Sequence, residues 1–273
     1  MLSLISLGSS SKGNCHILYN GHESIMLDCG INMNKYNFEV TRYNIQGILI
    51  THSHQDHCKG LKGKSYRGNQ NVYANDETMD FLGDSIMDYR KNVVQEMKAF
   101  DVGNDFRVVP IEVIHDVKNY GYIIHDKRTN MNIAYFTDLG YSDNLIIKGI
   151  NVWIIECNHV RSEVESKLEY AIENENDDKY YYSRTLSDKG HLCLEDSCKL
   201  IKNNYGLGLK HIILCHISNS EGDYKRYDNL YMEELKRIEI ELKNVKIHSI
   251  NNHINDIETY DIIPKNKWEG ISL

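Results

Sequence analysis

Residues 52–57 read His52-Ser53-His54-Gln55-Asp56-His57, three imidazoles and one carboxylate within six positions. The run follows the apolar segment 47–50 directly, so it lies where a strand hands over to a loop. Two His separated by one residue can both face one ion from an extended loop. The Asp-His pair that follows can face a neighbouring ion. Neutral imidazole and carboxylate are natural donors for Zn²⁺, with Mn²⁺ or Fe²⁺ as alternatives. The bland alternative is a His-rich surface loop without metal; the recurrence of ligand types at other strand ends weighs against it. His115 closes the apolar run 106–114, Asp138 closes 132–137 and His216 closes 210–215. Strand ends on one rim of a sheet are where side chains from distant positions converge. Singly, each of the three is more often a hydrogen-bonded structural residue. Together with the cluster they would complete a two-metal site, and Asp138, the one carboxylate among the three, is the candidate bridge.

The elements that must position these residues are short apolar runs alternating with amphipathic stretches. Strands are predicted over 2–7, 15–19, 24–28, 47–51, 71–74, 106–114, 120–125, 132–137, 151–156 and 210–215. Tyr19-Asn20-Gly21-His22 places Asn-Gly between two strand-like runs, a hairpin signal. Helices are predicted over 76–81, 143–148, 160–172, 194–203 and 231–242, the last from Met232, Leu235, Ile238 and Leu242 at helical spacing. The acidic stretch 162–178 reads as a solvated helix followed by a loop. Strands and helices intermix with no repeat and no linker, so one mixed α/β domain over 1–273 is expected.

A chain of 273 residues with 41% hydrophobic and 26% charged residues can build a sizeable core, which excludes fibrous and wholly disordered classes. Two Pro exclude long Pro-rich linkers. The net charge of −8 argues against avid non-specific nucleic-acid binding but permits a nuclease with a local basic strip. No run of 18 apolar residues is present, so no transmembrane helix is expected. Met1-Leu2-Ser3-Leu4-Ile5-Ser6-Leu7 lacks a positive leader and reads as a first strand, not a signal peptide. Seven Cys, an odd number with no C-x-x-C, read as reduced thiols of a cytoplasmic protein.

The ordered set His52–His57, His115, Asp138 and His216 resembles the metallo-β-lactamase superfamily. Gly8-Ser9-Ser10-Ser11-Lys12-Gly13-Asn14, Thr137-Asp138-Leu139-Gly140-Tyr141, Glu156-Cys157-Asn158-His159 and Leu186-Ser187-Asp188-Lys189-Gly190-His191-Leu192 resemble its YycJ/WalJ-like branch. The resemblance covers roughly residues 1–220. It implies an αββα four-layer sandwich of two mixed β-sheets, with two divalent metal ions per chain at the strand-end rim. It further implies hydrolysis, for this branch by a phosphodiesterase acting on DNA as an exonuclease. Carried over by position, His52, His54 and His115 would hold one ion, Asp56, His57 and His216 the other, and Asp138 would bridge. The acidic, Tyr-rich stretch ending Lys179-Tyr180-Tyr181-Tyr182-Ser183-Arg184 departs from the shorter, Pro-containing segment usual in the branch, which bears on the substrate.

On that reading a water bridging the ions attacks phosphorus, Asp56 orients it, and His191 is the candidate general acid for the leaving oxygen. The alternative for His191 is a residue leading into helix 194–203. His159 is a substrate or ligand-supporting contact, or simply structural. Lys59, Lys62, Lys64 and Arg67 could touch phosphates beyond the scissile one, or form a solvated face. The Tyr180–Tyr182 run could stack on bases or serve packing. The Gly8–Asn14 loop could cradle a phosphate or be a plain turn. Cys58 and Cys215 adjoin proposed ligands but are not needed to complete the set. His16, His22, His125, His211, His248 and His253 carry no role. The alternatives to DNA as substrate are a small cyclic or linear nucleotide, and a non-catalytic metal protein. Oligomeric state stays open, a homodimer being one option.

Overall fold

The structure is a computed structural model that describes residues 1–63, 65–140, 144–218, 224–240, 242–250 and 257–263. The first half of the chain supplies β1 (Leu2–Gly8), β2 (Cys15–Tyr19), β3 (Ser24–Leu27), β4 (Ile45–Leu49), β5 (Asn71–Ala74) and β6 (Lys91–Val93). The chain beyond residue 99 supplies β7 (Phe100–Val102), β8 (Phe106–Val113), β9 (Asn119–Asp126), β10 (Met131–Phe136), β11 (Val152–Glu156), β12 (His211–Cys215) and β13 (Lys246–Ser249); β14 (Glu258–Ile263) returns to pair with β1. Two seven-stranded mixed sheets result, in the orders β14-β1-β2-β3-β4-β5-β6 and β13-β12-β11-β10-β9-β8-β7. In each, an antiparallel half gives way to a parallel half, at β3/β4 in one and β10/β11 in the other.

Side-chain alternation explains why the sheets stack. On β11, Val152 and Ile154 face the inter-sheet core, while Trp153 and Ile155 face the helices outside. On β12, Ile213 and Cys215 face in and Ile212 and Leu214 face out. Strands buried on both faces read as continuous apolar runs, as central parallel strands do. The outer face of the first sheet is covered by α2 (Gln55–Lys62) and α3 (Asp76–Leu82), through Cys58, Leu61, Met79 and Leu82. That of the second is covered by α6 (Leu194–Asn204) and α7 (Arg226–Arg237), through Leu200, Ile201, Tyr227, Tyr231 and Leu235. The expected four-layer αββα sandwich is therefore the observed fold.

Some boundaries differ from expectation. Residues 144–148 are irregular, not helical: Ile147 is buried, and its N–H is taken by the Asn204 side chain, an alternative to a helical bond. The last helix starts earlier than its apolar spacing indicated, because Tyr227, Tyr231 and Leu235 form its buried stripe; it ends at Arg237, and Leu242 packs from beyond it. The acidic stretch 162–178 is a helix, α4 (Arg161–Glu173), followed by a loop over 174–177, as expected; a further helix that was not expected, α5 (Asp178–Thr185), begins at its end. Four edge strands were not expected: β6 and β7 have three residues each, and β13 and β14 are half or more polar and show no continuous apolar run. The Asn-Gly hairpin is present between β2 and β3, with Gly21 at φ 91°. No described helix is long and apolar enough to cross a membrane, and all seven Cys are free and buried.

Candidate metal centre

β10, β11 and β12 run parallel in a register that pairs Phe136 with Ile155 and Glu156 with Cys215. Asp138, Glu156 and His216 consequently come to nearly one height, just past or at the carboxyl ends of their strands. β8 is antiparallel to β9, as is β10, so the end of β8 that carries His115 lies on the same rim. From the first sheet, β3 and β4 deliver Asp28 and Thr51-His52 to the facing rim, and Tyr120 N–H donates to the Thr51 carbonyl across the gap. The carboxyl ends of strands are where α/β sheets place their ligands. Three of these rim residues, Asp28, Asp138 and His216, have φ of 56°, 51° and 53°. The left-handed conformation costs about 1–2 kcal/mol for a residue with a Cβ, although Asp and His adopt it more readily than most.

All seven predicted ligands converge here. The ligand atoms of His52, His54, His115 and Asp138 lie within 4.8 Å of one another, and so do those of Asp56, His57, Asp138 and His216. Asp138 belongs to both groups: its Oδ2 is 3.3 Å from His52 Nε2 and 2.8 Å from His57 Nε2, and its Oδ1 is 2.7 Å from His216 Nδ1. Asp56 Oδ2 stands 3.5 Å from both His57 Nε2 and His216 Nε2. The second half of the cluster is not a loop: His54 is the N-cap of α2, and Asp56 and His57 occupy its first turn. Gly30 makes this possible, since a Cβ there would lie 1.6 Å from the Asp56 carbonyl oxygen.

The donor set fits divalent metal binding. His52 Nε2 and His216 Nε2 are buried without a hydrogen-bond partner, a state that calls for an explanation such as a bound ion. Burial and the neighbouring His57 push His52 down to about 4, and burial likewise lowers His54 and His115, so these rings keep a lone pair at neutral pH. Burial opposes charge on His57 and His216, but Asp138 beside them raises both well above the ordinary value. Burial also opposes ionisation of Asp138, yet His216 and His57 hold its carboxyl well below the usual range. Protons on those rings occupy the place a cation would take, so metal binding would release them.

Several supporting residues escaped sequence reading. Asp28 is wholly buried and accepts from Thr51 N–H (2.8 Å), Tyr135 Oη (2.7 Å) and His57 Nδ1 (2.8 Å). Glu156 accepts from His191 Nδ1 (2.8 Å), His216 Nδ1 (3.0 Å), Leu139 N–H (2.9 Å) and Leu192 N–H (3.1 Å). Carboxylates on the far nitrogen fix the tautomer and tilt of ligand imidazoles. Asp116 Oδ1 lies 3.2 Å from both His54 Nε2 and His115 Nε2. Position at a strand end was a signal available for Asp28 and Glu156; nothing local marked Asp116.

The remaining candidates separate clearly. His191 lines the cavity over the centre, a space of ≈ 330 Å³ also walled by His54, Asp56, Asn158, Tyr181 and Arg184. His159 is buried beside Asn158 and bridges to Cys193, and does not line the cavity. The Lys59 amine is on the Lys12 carbonyl, and that of Lys62 is on the Phe81 carbonyl and ring, and neither residue lines the cavity. Lys64 and His253 lie outside the described residues. The Gly8–Asn14 segment acts as a tie: Ser9 Oγ accepts from His216 N–H, and Asn14 N–H donates to the Asp56 carbonyl. Cys58 Sγ faces the Ser53 and His54 carbonyls, and Cys215 sits in the core.

Residues 23–217 match the family described as the beta-lactamase superfamily domain. The chain belongs to the metallo-β-lactamase superfamily. Within it this is a YycJ/WalJ-like protein. It is 32% identical over 227 residues to exodeoxyribonuclease YycJ of Bacillus anthracis, across 78% of this chain and 81% of that one. It is 27% identical over 241 residues to exodeoxyribonuclease WalJ of Streptococcus pneumoniae, across 83% and 85%. Among solved structures it is similar to the metallo-β-lactamase fold protein YhfI of Bacillus subtilis, with a TM-score of 0.66 at 15% identity over 95% of this chain and 99% of that one. That last likeness concerns the fold.

Proposed function

We propose that this metallo-β-lactamase superfamily member is a dinuclear-metal phosphodiesterase that degrades DNA as an exonuclease. The chain is a metal-dependent hydrolase by family. The observation that carries the two-metal reading is the position of Asp138, whose carboxylate is common to the His52, His54 and His115 cluster and to the Asp56, His57 and His216 cluster. His52, His54 and His115 would hold one ion, Asp56, His57 and His216 the other, with Asp138 between them. Zn²⁺ suits the donors best, with Mn²⁺ or Fe²⁺ as alternatives. Such a pair supplies a water nucleophile active near neutral pH and neutralises charge on the phosphoryl oxygens. DNA as substrate is supported by the names of YycJ and WalJ, both exodeoxyribonucleases.

The protein's own part begins with Asp56, whose Oδ2 lies between His57 and His216 and can orient the attacking water. His191 then serves as general acid. Burial works against its charge, but Glu156 and Asp138 raise it to about 9, so the ring is an imidazolium at neutral pH. Glu156 holds Nδ1 at 2.8 Å, which leaves Nε2 as the nitrogen that delivers a proton to the leaving oxygen. A positioned acid of this kind contributes ~10²–10⁴-fold.

A small nucleotide is the second reading, favoured by the ≈ 330 Å³ cavity and the net charge of −8. The test is incubation of metal-loaded protein with end-labelled single-stranded DNA and with a cyclic and linear nucleotide panel, alongside elemental analysis. Stepwise shortening of DNA with two metal equivalents per chain is expected. Turnover of nucleotides alone replaces DNA as substrate, and tight metal without any turnover overturns the hydrolase.

A further inference from the structure

We propose that Tyr181 and Arg184 form a clamp that takes one nucleobase and its adjoining phosphate from a single-stranded nucleic acid; this deepens the phosphodiesterase reading and rests on it. Both residues come from α5, the helix that holds the Tyr180–Tyr182 run. Spaced three apart on a helix, they share one face, and both wall the cavity over the metal centre. Their neighbours do not: Tyr180 is 70% exposed, and Tyr182 lines a separate hollow against α4.

Charge explains why the cavity needs Arg184. Asp56 and Asp138 wall it, and the bound ions would offset their charge, but the chain carries −8 overall, so a phosphate away from the ions gains from a cation of its own. Among the described lining residues, Arg184 is the one permanent cation. Its guanidinium rests on Asp116, in a pair with side chains 62% and 34% exposed. Exposed pairs of this kind are weak, whereas a phosphate offers the guanidinium two parallel charge-assisted bonds. A backbone phosphate can therefore displace Asp116. Tyr181, 55% exposed, has ring area to offer a base, and base–aromatic stacking tolerates any sequence. A cavity of ≈ 330 Å³ lies at the small end of ligand sites, the scale of one nucleotide and not of a duplex.

The clamp is also anchored to the chemistry. His191 N–H donates to the Thr185 carbonyl at the end of α5, and a Cβ on Gly190 would meet the Arg184 carbonyl oxygen at 2.3 Å. The arm and the proposed acid are thus joined backbone to backbone.

The test measures binding of a fluorescein-labelled, cleavage-resistant phosphorothioate oligo(dT) to the metal-loaded protein by anisotropy, over a salt series. Arg184→Ala is expected to weaken binding and flatten the slope of log K against log salt by about 0.7, the loss of one single-strand phosphate contact. Tyr181→Ala is expected to raise Kd roughly 5- to 150-fold, with Tyr181→Phe restoring it. Tyr180→Ala should bind like wild type. An abasic terminal nucleotide should weaken wild type but leave Tyr181→Ala unaffected. Wild-type affinity and slope in both Arg184→Ala and Tyr181→Ala, or an equal loss in Tyr180→Ala, overturns the clamp, as does failure of wild type to bind. DNA cleavage by wild type with indifferent variants sinks the clamp alone. Binding through these residues with no cleavage of natural DNA sinks the phosphodiesterase alone.

Discussion

Replacing Glu156 by Gln changes one oxygen to an amino group at the place where four donors meet. Oε1 accepts from His191 Nδ1 and His216 Nδ1; Oε2 accepts from the Leu139 and Leu192 N–H groups. Only a carboxylate can accept on both sides. If the amide oxygen stays with the backbone pair, the amino group faces the two rings. Each ring must then accept at Nδ1 and carry its proton on Nε2, the atom His216 presents toward Asp56. If the amide turns the other way, two buried backbone N–H groups lose their acceptor. Two hydrogen bonds to a charged group, at about 1.5–3 kcal/mol each, put the loss near 3–6 kcal/mol before relaxation. Loss of a carboxylate partner behind a ligand imidazole typically lowers metal affinity or activity 10–100-fold. Glu156→Gln should therefore lose metal to a competing chelator at a concentration roughly one to two decades lower than wild type, and melt at lower temperature. Elemental analysis after chelator dialysis and a thermal scan measure the two effects. Retention of both ions at wild-type affinity with undiminished turnover would refute the assigned role of Glu156.

Asp138→Ala removes the carboxylate common to both ligand groups; metal content should fall and hydrolysis should vanish, as read by elemental analysis and a DNA assay. His191→Ala should keep metal content near normal but slow turnover by ~10²–10⁴-fold; loss of metal instead would show that the ring is a ligand. Because His191 is raised to about 9, its acid form is present at neutral pH and is lost as pH rises through that value. The wild-type rate should accordingly decline on the alkaline side, and His191→Ala should lack that limb. Gly140→Ala places a Cβ 1.9 Å from the Asp188 carbonyl oxygen. Overpacking of this kind costs about 1–3 kcal/mol, so a lower melting temperature and a drop in turnover larger than any drop in metal content are expected.

The ligands were legible because each carries its chemistry in its type and its place in the pattern. His52 to His57 are dense within one short run, and His115, Asp138 and His216 each follow a short apolar run that reads as a strand. Lys59 and Lys62 show where proximity in sequence misleads: they follow the ligand run, but their amines go to the Lys12 and Phe81 carbonyls and neither residue lines the cavity. Arg184 shows the converse, lying far from the ligand run in sequence yet beside the centre in space.

From the amino-acid order alone came the apolar strand runs and the ligand types, which depend on neighbours a few positions apart, and the family pattern, which depends on short local motifs in a fixed order along the chain. The fold alone decided that Asp28 and Glu156 would back the imidazoles, that Asp116 would face His54 and His115, and that α5 would lean Tyr181 and Arg184 over the rim. Those contacts span tens of residues and depend on strand register and helix orientation. Register and orientation are set by the burial of whole faces, not by any single stretch of chain.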